Sequence, residues 1–257
     1  MNRLTQLFSQ KNEHILNVYY TAGFPSIDSV SRIAEALQSS GADIIELGMP
    51  YSDPLADGET IQKSSEAALK NGMNLDKIFN SVKELRSVCQ LPIILMGYYN
   101  QLLQYGDKAF FKACKTSGVD GLIIPDLPLD VYESNYQSMI NEYDLTISFL
   151  VTPQTSGERI KQASELSSGF LYVVSQSSIT GAKGEISDSQ IAYFDKVNNL
   201  KGDTPSLIGF GIHNKQTFNQ ACSYANGAII GSEFIRVLER SNGDLSAVEE
   251  FVRKIKS

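Results

Sequence analysis

Eight short apolar runs, each followed by a helical pattern, set the strongest limit on how this chain can fold. The runs are Leu16 to Thr21, Asp43 to Met49, Pro92 to Gly97, Gly121 to Pro125, Thr146 to Val151, Phe170 to Ser175, Ser206 to Gly211 and Gly227 to Gly231. Helical patterns begin near Ser26, Glu59, Asp107, Leu129, Ser156, Asp188, Lys215 and Ser232, and further ones cover Leu4 to Lys11, the stretch after Leu75, and Leu245 to Ile255. Continuous apolar strands alternating with helices indicate parallel strands joined by crossover helices. An open, doubly wound sheet would alternate in the same way. Eight units with no Pro/Gly/Ser-rich interruption favour closure into an α/β fold of the (β/α)8 type, a TIM barrel with an extra N-terminal helix and additional short helices. At 257 residues and 42% hydrophobic content the chain has the usual size of one such barrel, read as a single domain over 1–257. Internal repetition supports the count. Ser40-Gly-Ala-Asp-Ile-Ile, Ser117-Gly-Val-Asp-Gly-Leu and Ala225-Asn-Gly-Ala-Ile-Ile each set a Gly at a helix end just before an apolar strand, where a C-cap belongs.

The second run holds the oddest residue. Glu46 is flanked by Ile44, Ile45 and Leu47, and an unpaired carboxylate inside a buried strand is costly to desolvate. Asp57 follows on the loop Tyr51-Ser-Asp-Pro-Leu-Ala-Asp57 that leaves the same strand end and leads into the helical pattern from Glu59. Two carboxylates in different environments are what acid and base chemistry at neutral pH needs. The plainer reading keeps Asp57 as a helix N-cap and Glu46 as half of a structural ion pair. Burial should raise the pKa of Glu46 so that it holds a proton near neutral pH, while the more polar loop should leave Asp57 ionised.

Active sites of such barrels form at the C-terminal ends of the strands. Tyr19, Met96, Ile123 and Leu150 stand at or near those ends and are candidates to wall a pocket for a flat ring, although most residues of these types are simply core. Asp126 is a third carboxylate at the rim, in Ile123-Ile-Pro-Asp-Leu-Pro128, where on the residues alone a turn or an N-cap is the better explanation. The sixth run continues as Ser175-Gln-Ser-Ser-Ile-Thr-Gly-Ala-Lys-Gly184, long and polar enough for an active-site lid. After the seventh and eighth runs, Gly209-Phe-Gly211 and Gly231-Ser232 bring backbone N–H groups and a helix N-terminus to the rim, which suits an anion without any Lys or Arg.

Composition excludes other chemistries. A formal charge of −7, from 22 basic and 29 acidic residues without a basic block, gives no footprint for nucleic acid or an anionic membrane. Cys89, Cys114 and Cys222 lack disulfide or metal spacing, and His14 and His213 form no ligand cluster or triad, so neither a metal centre nor Ser-His-Asp chemistry is expected. No window reaches the apolar length of a membrane span and the N-terminus lacks a signal-peptide core, which together point to a cytoplasmic protein.

Glu46-Leu-Gly-Met-Pro-Tyr-Ser-Asp-Pro-Leu-Ala-Asp-Gly-Glu-Thr-Ile-Gln62 matches without a gap the run E-L-G-x-P-[YF]-S-D-P-x-A-D-G-x-x-I-Q, and through it the chain resembles the tryptophan synthase alpha subunit family. The resemblance covers the chain end to end. It implies retro-aldol cleavage of indole-3-glycerol phosphate to indole and glyceraldehyde 3-phosphate, with Glu46 and Asp57 catalytic. It implies that Tyr172 lines the substrate pocket, that the Thr180 hydroxyl bonds the catalytic Asp once its loop has closed, and that Gly181, Gly211, Gly231 and Ser232 hold the phosphate. Asp126 is carried over as a positioning residue, and Asp53 and Pro54 as the segment through which a partner acts. That partner is a pyridoxal-phosphate beta subunit in an α2β2 assembly; no cofactor is implied in this chain. The sixth loop departs from the family's S-R-x-G-V-T-G, with Gln176 for Arg and Ser178 for Gly, which bears on loop movement and partner coupling. Three alternatives keep parts of this reading: a stand-alone indole-releasing lyase, a related barrel acting on a phosphorylated sugar or anthranilate derivative, and a non-catalytic regulatory subunit.

Overall fold

The computed structural model describes residues 2–175, 186–209 and 211–257. Its strands are β1 (Ile15–Thr21), β2 (Ile44–Gly48), β3 (Ile93–Met96), β4 (Gly121–Ile123), β5 (Thr146–Ile147), β6 (Leu150–Val151), β7 (Leu171–Val174), β8 (Ser206–Gly209) and β9 (Gly227–Ile230), all parallel to their neighbours. They run in the order β5-β4-β3-β2-β1-β9-β8-β7-β6. The two ends of that order are halves of one stretch. Ser148 N donates to Leu122 O at 3.0 Å and Tyr172 N donates to Phe149 O at 2.9 Å, so the turn between β5 and β6 bonds to both neighbours and closes a (β/α)8 barrel. The fifth run is therefore not one regular strand, as the sequence suggests, because it hands its pairing from β4 to β7 midway. Ser148 and Phe149 at the break are bonded to the next connection: Phe149 N donates to Ser167 Oγ, and Ser148 Oγ accepts from Phe170 N, both at 3.1 Å.

Every residue of β1 and β2 is buried, as expected for strands covered by helices outside and side chains inside. Period-2 alternation turns Ile15, Ile44, Ile94, Ile123, Leu207 and Ile229 into the barrel, where they form a packed interior. The N-terminal helix Arg3–Gln10 plugs the bottom of that interior with Leu4, Leu7 and Phe8. Two of the repeated Gly residues, Gly41 and Gly118, are left-handed C-caps at φ 95° and 93°. The third is not. Gly227 opens β9 well after the helix Lys215–Cys222, and a Cβ there would lie 2.0 Å from Ile15 O, so it serves close strand contact.

The residue before the strand in each repeat has a second common task. Asp43 accepts from Leu16 N, Asp120 from Ile93 N and Asn226 from Ser206 N, each at the start of the neighbouring strand. The same three reach the N-terminal segment, through the Lys11–Asp43 and Arg3–Asp120 ion pairs and the bond from Asn226 Nδ2 to Asn12 O. The bottom face is thus tied together by polar groups, one buried and two half-buried, that all have partners. The helix Tyr99–Tyr105 and a π-turn at Tyr132–Tyr136 were not expected from the sequence. Among the described residues no helix is long and apolar enough to cross a membrane, and no group of His, Cys, Asp and Glu is placed to hold a metal ion.

Candidate active site

Glu46 points into the top of the barrel from the middle of β2, level with Tyr19 of β1 and Ile94 of β3. It is 1% exposed and makes no ion pair among the described residues. Asn17 Nδ2 donates to its Oε2 at 2.7 Å, and Oε1 has no partner among the described residues. Burial pushes the pKa up to about 8; the Asn17 amide works against that rise and the charge of Asp57 adds to it. A carboxyl so placed favours keeping its proton near neutral pH, and among the described residues it is not half of a structural ion pair.

Asp57 sits where the loop after β2 folds back over the barrel mouth. The Tyr98 hydroxyl donates to Asp57 Oδ2 at 2.9 Å while accepting from Ala56 N at 3.1 Å. Gln62 Nε2 donates to Asp57 O at 2.7 Å. The N-cap of the helix Glu59–Lys70 is Gly58, with no side-chain cap, so capping does not explain Asp57. The sequence expects a polar loop that leaves Asp57 ionised, and two opposing influences act on it there. Partial burial raises its pKa, and the Tyr98 hydroxyl is what pulls toward the ionised form.

Tyr98 is itself placed by its surroundings. Its N donates to Gln101 Oε1 at 2.9 Å, Gln101 Nε2 reaches back to Pro50 O at 3.1 Å, and Asp126 Oδ1 accepts from Tyr99 N at 2.8 Å. Asp126 thus fixes the turn that delivers Tyr98 to Asp57. Asp53 is exposed and accepts from the Ser52 hydroxyl, and Pro54 is half-buried beside it. Leu55, next in the chain, is 82% exposed.

Glu46 and Asp57 face one cavity of about 390 Å³. Tyr19, Met96 and Tyr172 line it together with Ile61, Ile212 and Ile229. Two inward glycines make room for the tyrosines: a Cβ on Gly48 would lie 2.1 Å from Tyr19 Oη, and one on Gly209 would lie 2.4 Å from the Tyr172 ring. Ile123 and Leu150, expected in the pocket, do not line it. Ile123 belongs to the closed interior, and Leu150 pairs with Tyr172 on β6 and packs against that interior.

The other end of the cavity is the start of the helix Ser232–Arg240, with Gly211, Gly231 and Ser232 on its wall and no side chain capping the helix. Uncapped first-turn N–H groups and the helix dipole favour an anion there. A cation that the sequence reading did not include is also present. Arg236 lines the same end, one helical turn from Ser232 and paired to Glu233 at 2.8 Å. Thr180, Gly181, Gln176 and Ser178 lie outside the described residues. Asn17, Tyr98 and Arg236 went unremarked in the sequence, although Asn17 stands two residues before Tyr19 and so shares its face, and Arg236 stands one turn after Ser232.

A buried acid, a second carboxylate held by a phenol, apolar walls and an anion end suit a flat aromatic substrate with a charged tail. Comparisons with known proteins agree with the geometry. A profile of the tryptophan synthase alpha chain matches residues 5–257. The tryptophan synthase alpha chain of Christiangramia forsetii is 49% identical over 257 residues, covering 100% of this chain and 99% of the relative, and that of Flavobacterium johnsoniae is 47% identical with full coverage of both. Among solved structures, tryptophan synthase from M. tuberculosis in an aminoacrylate-bound form superposes with a TM-score of 0.87 at 30% identity, over 99% of this chain and 98% of that one. The tryptophan synthase complex from Pyrococcus furiosus gives 0.87 at 31% identity over 96% and 99%. The catalytic-loop wording, the barrel and these full-length matches converge, and the chain belongs to the tryptophan synthase alpha chain family.

Proposed function

We propose that this chain cleaves indole-3-glycerol phosphate by a retro-aldol reaction to indole and glyceraldehyde 3-phosphate, with Glu46 and Asp57 as its catalytic groups. The reading rests on the placement of both carboxyls on one cavity that ends at an uncapped helix N-terminus. Glu46, protonated near neutral pH, gives its proton to indole C3. It then takes the proton of the hydroxyl on the adjoining side-chain carbon as the C3–carbon bond breaks and its electron pair returns to the ring. One proton is given and one is taken, so the carboxyl ends as it began. Asp57, kept toward its ionised form by Tyr98, accepts from the ring N–H and offsets the positive charge that C3 protonation puts on the indole.

Tyr19, Met96 and Tyr172 flank the ring in this reading, and the N–H groups at Gly211, Gly231 and Ser232 meet the phosphate. Thr180 and Gly181 complete the site from the loop after β7. Alpha chains of this family carry no cofactor; pyridoxal phosphate belongs to the beta subunit, which takes up the indole. The beta subunit docks over the loop 51–57, where Asp53 and Leu55 are exposed, in an α2β2 assembly located in the cytoplasm. A loop carbon displaced by ~1 Å can cost on the order of 10²-fold in rate, so docking on the segment that carries Asp57 is a direct route to activation. Incubation with indole-3-glycerol phosphate, with and without a beta subunit, tests the reading by indole release. Slow release alone and fast release in the complex are expected; no release in either case refutes it.

A further inference from the structure

The first half of β1 holds a buried amide that no step above uses. Asn17 is 0% exposed between Leu16 and Val18, and among the described residues only one of its two polar ends has a partner. Nδ2 donates to Glu46 Oε2 at 2.7 Å, whereas Asn17 Oδ1 and Glu46 Oε1 are both buried without a partner among the described residues. An acceptor turned toward a carboxylate would be repelled, so the amide nitrogen is the end that must face Oε2. A leucine or valine would fill this strand position without leaving an orphaned polar atom, so packing alone gives no reason for an amide.

We infer that Asn17 is a positioning residue for Glu46, fixing Oε2 as the hydrogen-bonded carbonyl oxygen so that Oε1 is the atom that carries the proton to and from the substrate. The inference rests on the reading of Glu46 as the proton shuttle. In a carboxylic acid the oxygen that accepts an N–H is the carbonyl one, and the proton goes to the other. The bond also limits the direction in which Oε1 points, and geometry is what separates a proton donor within reach of a carbon from one merely nearby. Among the described residues the groups facing Glu46 besides Asn17 are Asp57 from the loop after β2, Tyr19 from β1 and Tyr172 from β7, while β3 presents Ile94 and Met96.

Asn17→Leu and Asn17→Val remove the amide and suit a buried strand. Each is expected to lower kcat by about 10-fold or more with KM changed less than about twofold, since Asn17 touches Glu46 and not the cavity. The N–H bond favours the ionised carboxyl, so its loss raises the Glu46 pKa, and the fall of activity on the alkaline side should move to higher pH. In a Glu46→Gln background the same substitutions should change residual turnover little, because a residue that acts through another adds nothing once that other is gone. A wild-type kcat and an unmoved alkaline limb in a folded Asn17 variant overturn the proposal while leaving the role of Glu46 intact. Near-normal turnover of Glu46→Gln alone overturns the Glu46 reading instead. If neither variant folds, the difference infrared spectrum of wild type against Glu46→Gln decides: a hydrogen-bonded carboxyl C=O stretch supports the proposal, and a free one refutes it.

Discussion

Changing Glu46 to Gln should act on turnover and on stability with opposite signs. The folded-state pKa of Glu46 is about 8 against an ordinary value of 4.5. Between those limits the folded chain holds a proton that the unfolded chain has released, so stability falls as pH rises through the window and is level below and above it. From 4.5 to pH 7 is 2.5 units, which at 1.36 kcal/mol per unit makes a cost of about 3 kcal/mol to the fold at pH 7. Gln removes that cost, because its amide oxygen can take the Asn17 bond while it carries no titrating proton. A misplaced amide hydrogen could shift the absolute stability of the variant by about 1 kcal/mol. The pH slope is immune to such a shift. Urea unfolding of both proteins at several pH values between about 4.5 and 8.5 should show the wild type losing ground to Glu46→Gln steadily as pH rises, with other groups cancelling in the difference. Indole release should fall by a factor of order 10² or more in the same variant. A stability difference that stays flat across the window would refute the buried-acid argument, whatever the activity.

Tyr98→Phe keeps the ring against Tyr51, 5.2 Å away, and removes the hydroxyl from Asp57. Turnover should drop by about 10-fold, and the Asp57 pKa should rise, moving the acid-side fall of activity to higher pH; an unmoved acid limb would reject the coupling. Gly231→Asp tests the anion end more cleanly than a change at Gly211. Gly211 has φ +77°, where a side chain is strained, whereas a Cβ at Gly231 meets Tyr19 only at 3.5 Å. A carboxylate at that helix start should favour the fold by about 0.3–1 kcal/mol yet raise KM at least about 10-fold, and equal loss for a phosphate-free analogue would point to general pocket damage instead. Asp53→Ala should leave basal indole release unchanged and weaken activation by the beta subunit; an unchanged fold-activation across a titration of that subunit would end the docking proposal.

The parts of this molecule that were legible in the sequence are those whose signal is local. Strands buried on both faces read as apolar runs, and a carboxylate inside one of them, Glu46, stands out without any knowledge of its neighbours. The break at Ser148 and Phe149 is not local, because it exists only where the first and last pairings of a closed barrel meet in one segment. Asn17 and Tyr98 were passed over for the same reason. An amide on a strand and a tyrosine after one become informative only when register sets Asn17 beside Glu46 and the turn held by Asp126 sets Tyr98 under Asp57. Ile123 and Leu150 fail in the opposite direction. Both occupy strand ends, but depth along the barrel axis decides whether a strand end reaches the cavity, and depth depends on the stagger between strands.

The same chemistry has different meanings at the two ends of the barrel. At the bottom, the half-buried Asp43 and the buried Asp120 are carboxylates with cations and strand N–H groups as partners, and neither leaves an oxygen orphaned. At the top, Glu46 has an amide on one oxygen, nothing on the other, and no cation at all among the described residues. A buried carboxylate that serves the fold is expected to be paired, because pairing is what makes its burial tolerable. One that serves proton transfer must be left short of partners, since a compensating cation would hold it ionised and take away the proton it has to give. The tied bottom face is what lets a marginally stable chain carry such a group at the top, and it gives the repeated residue at Asp43, Asp120 and Asn226 a stability role where Glu46 has a chemical one.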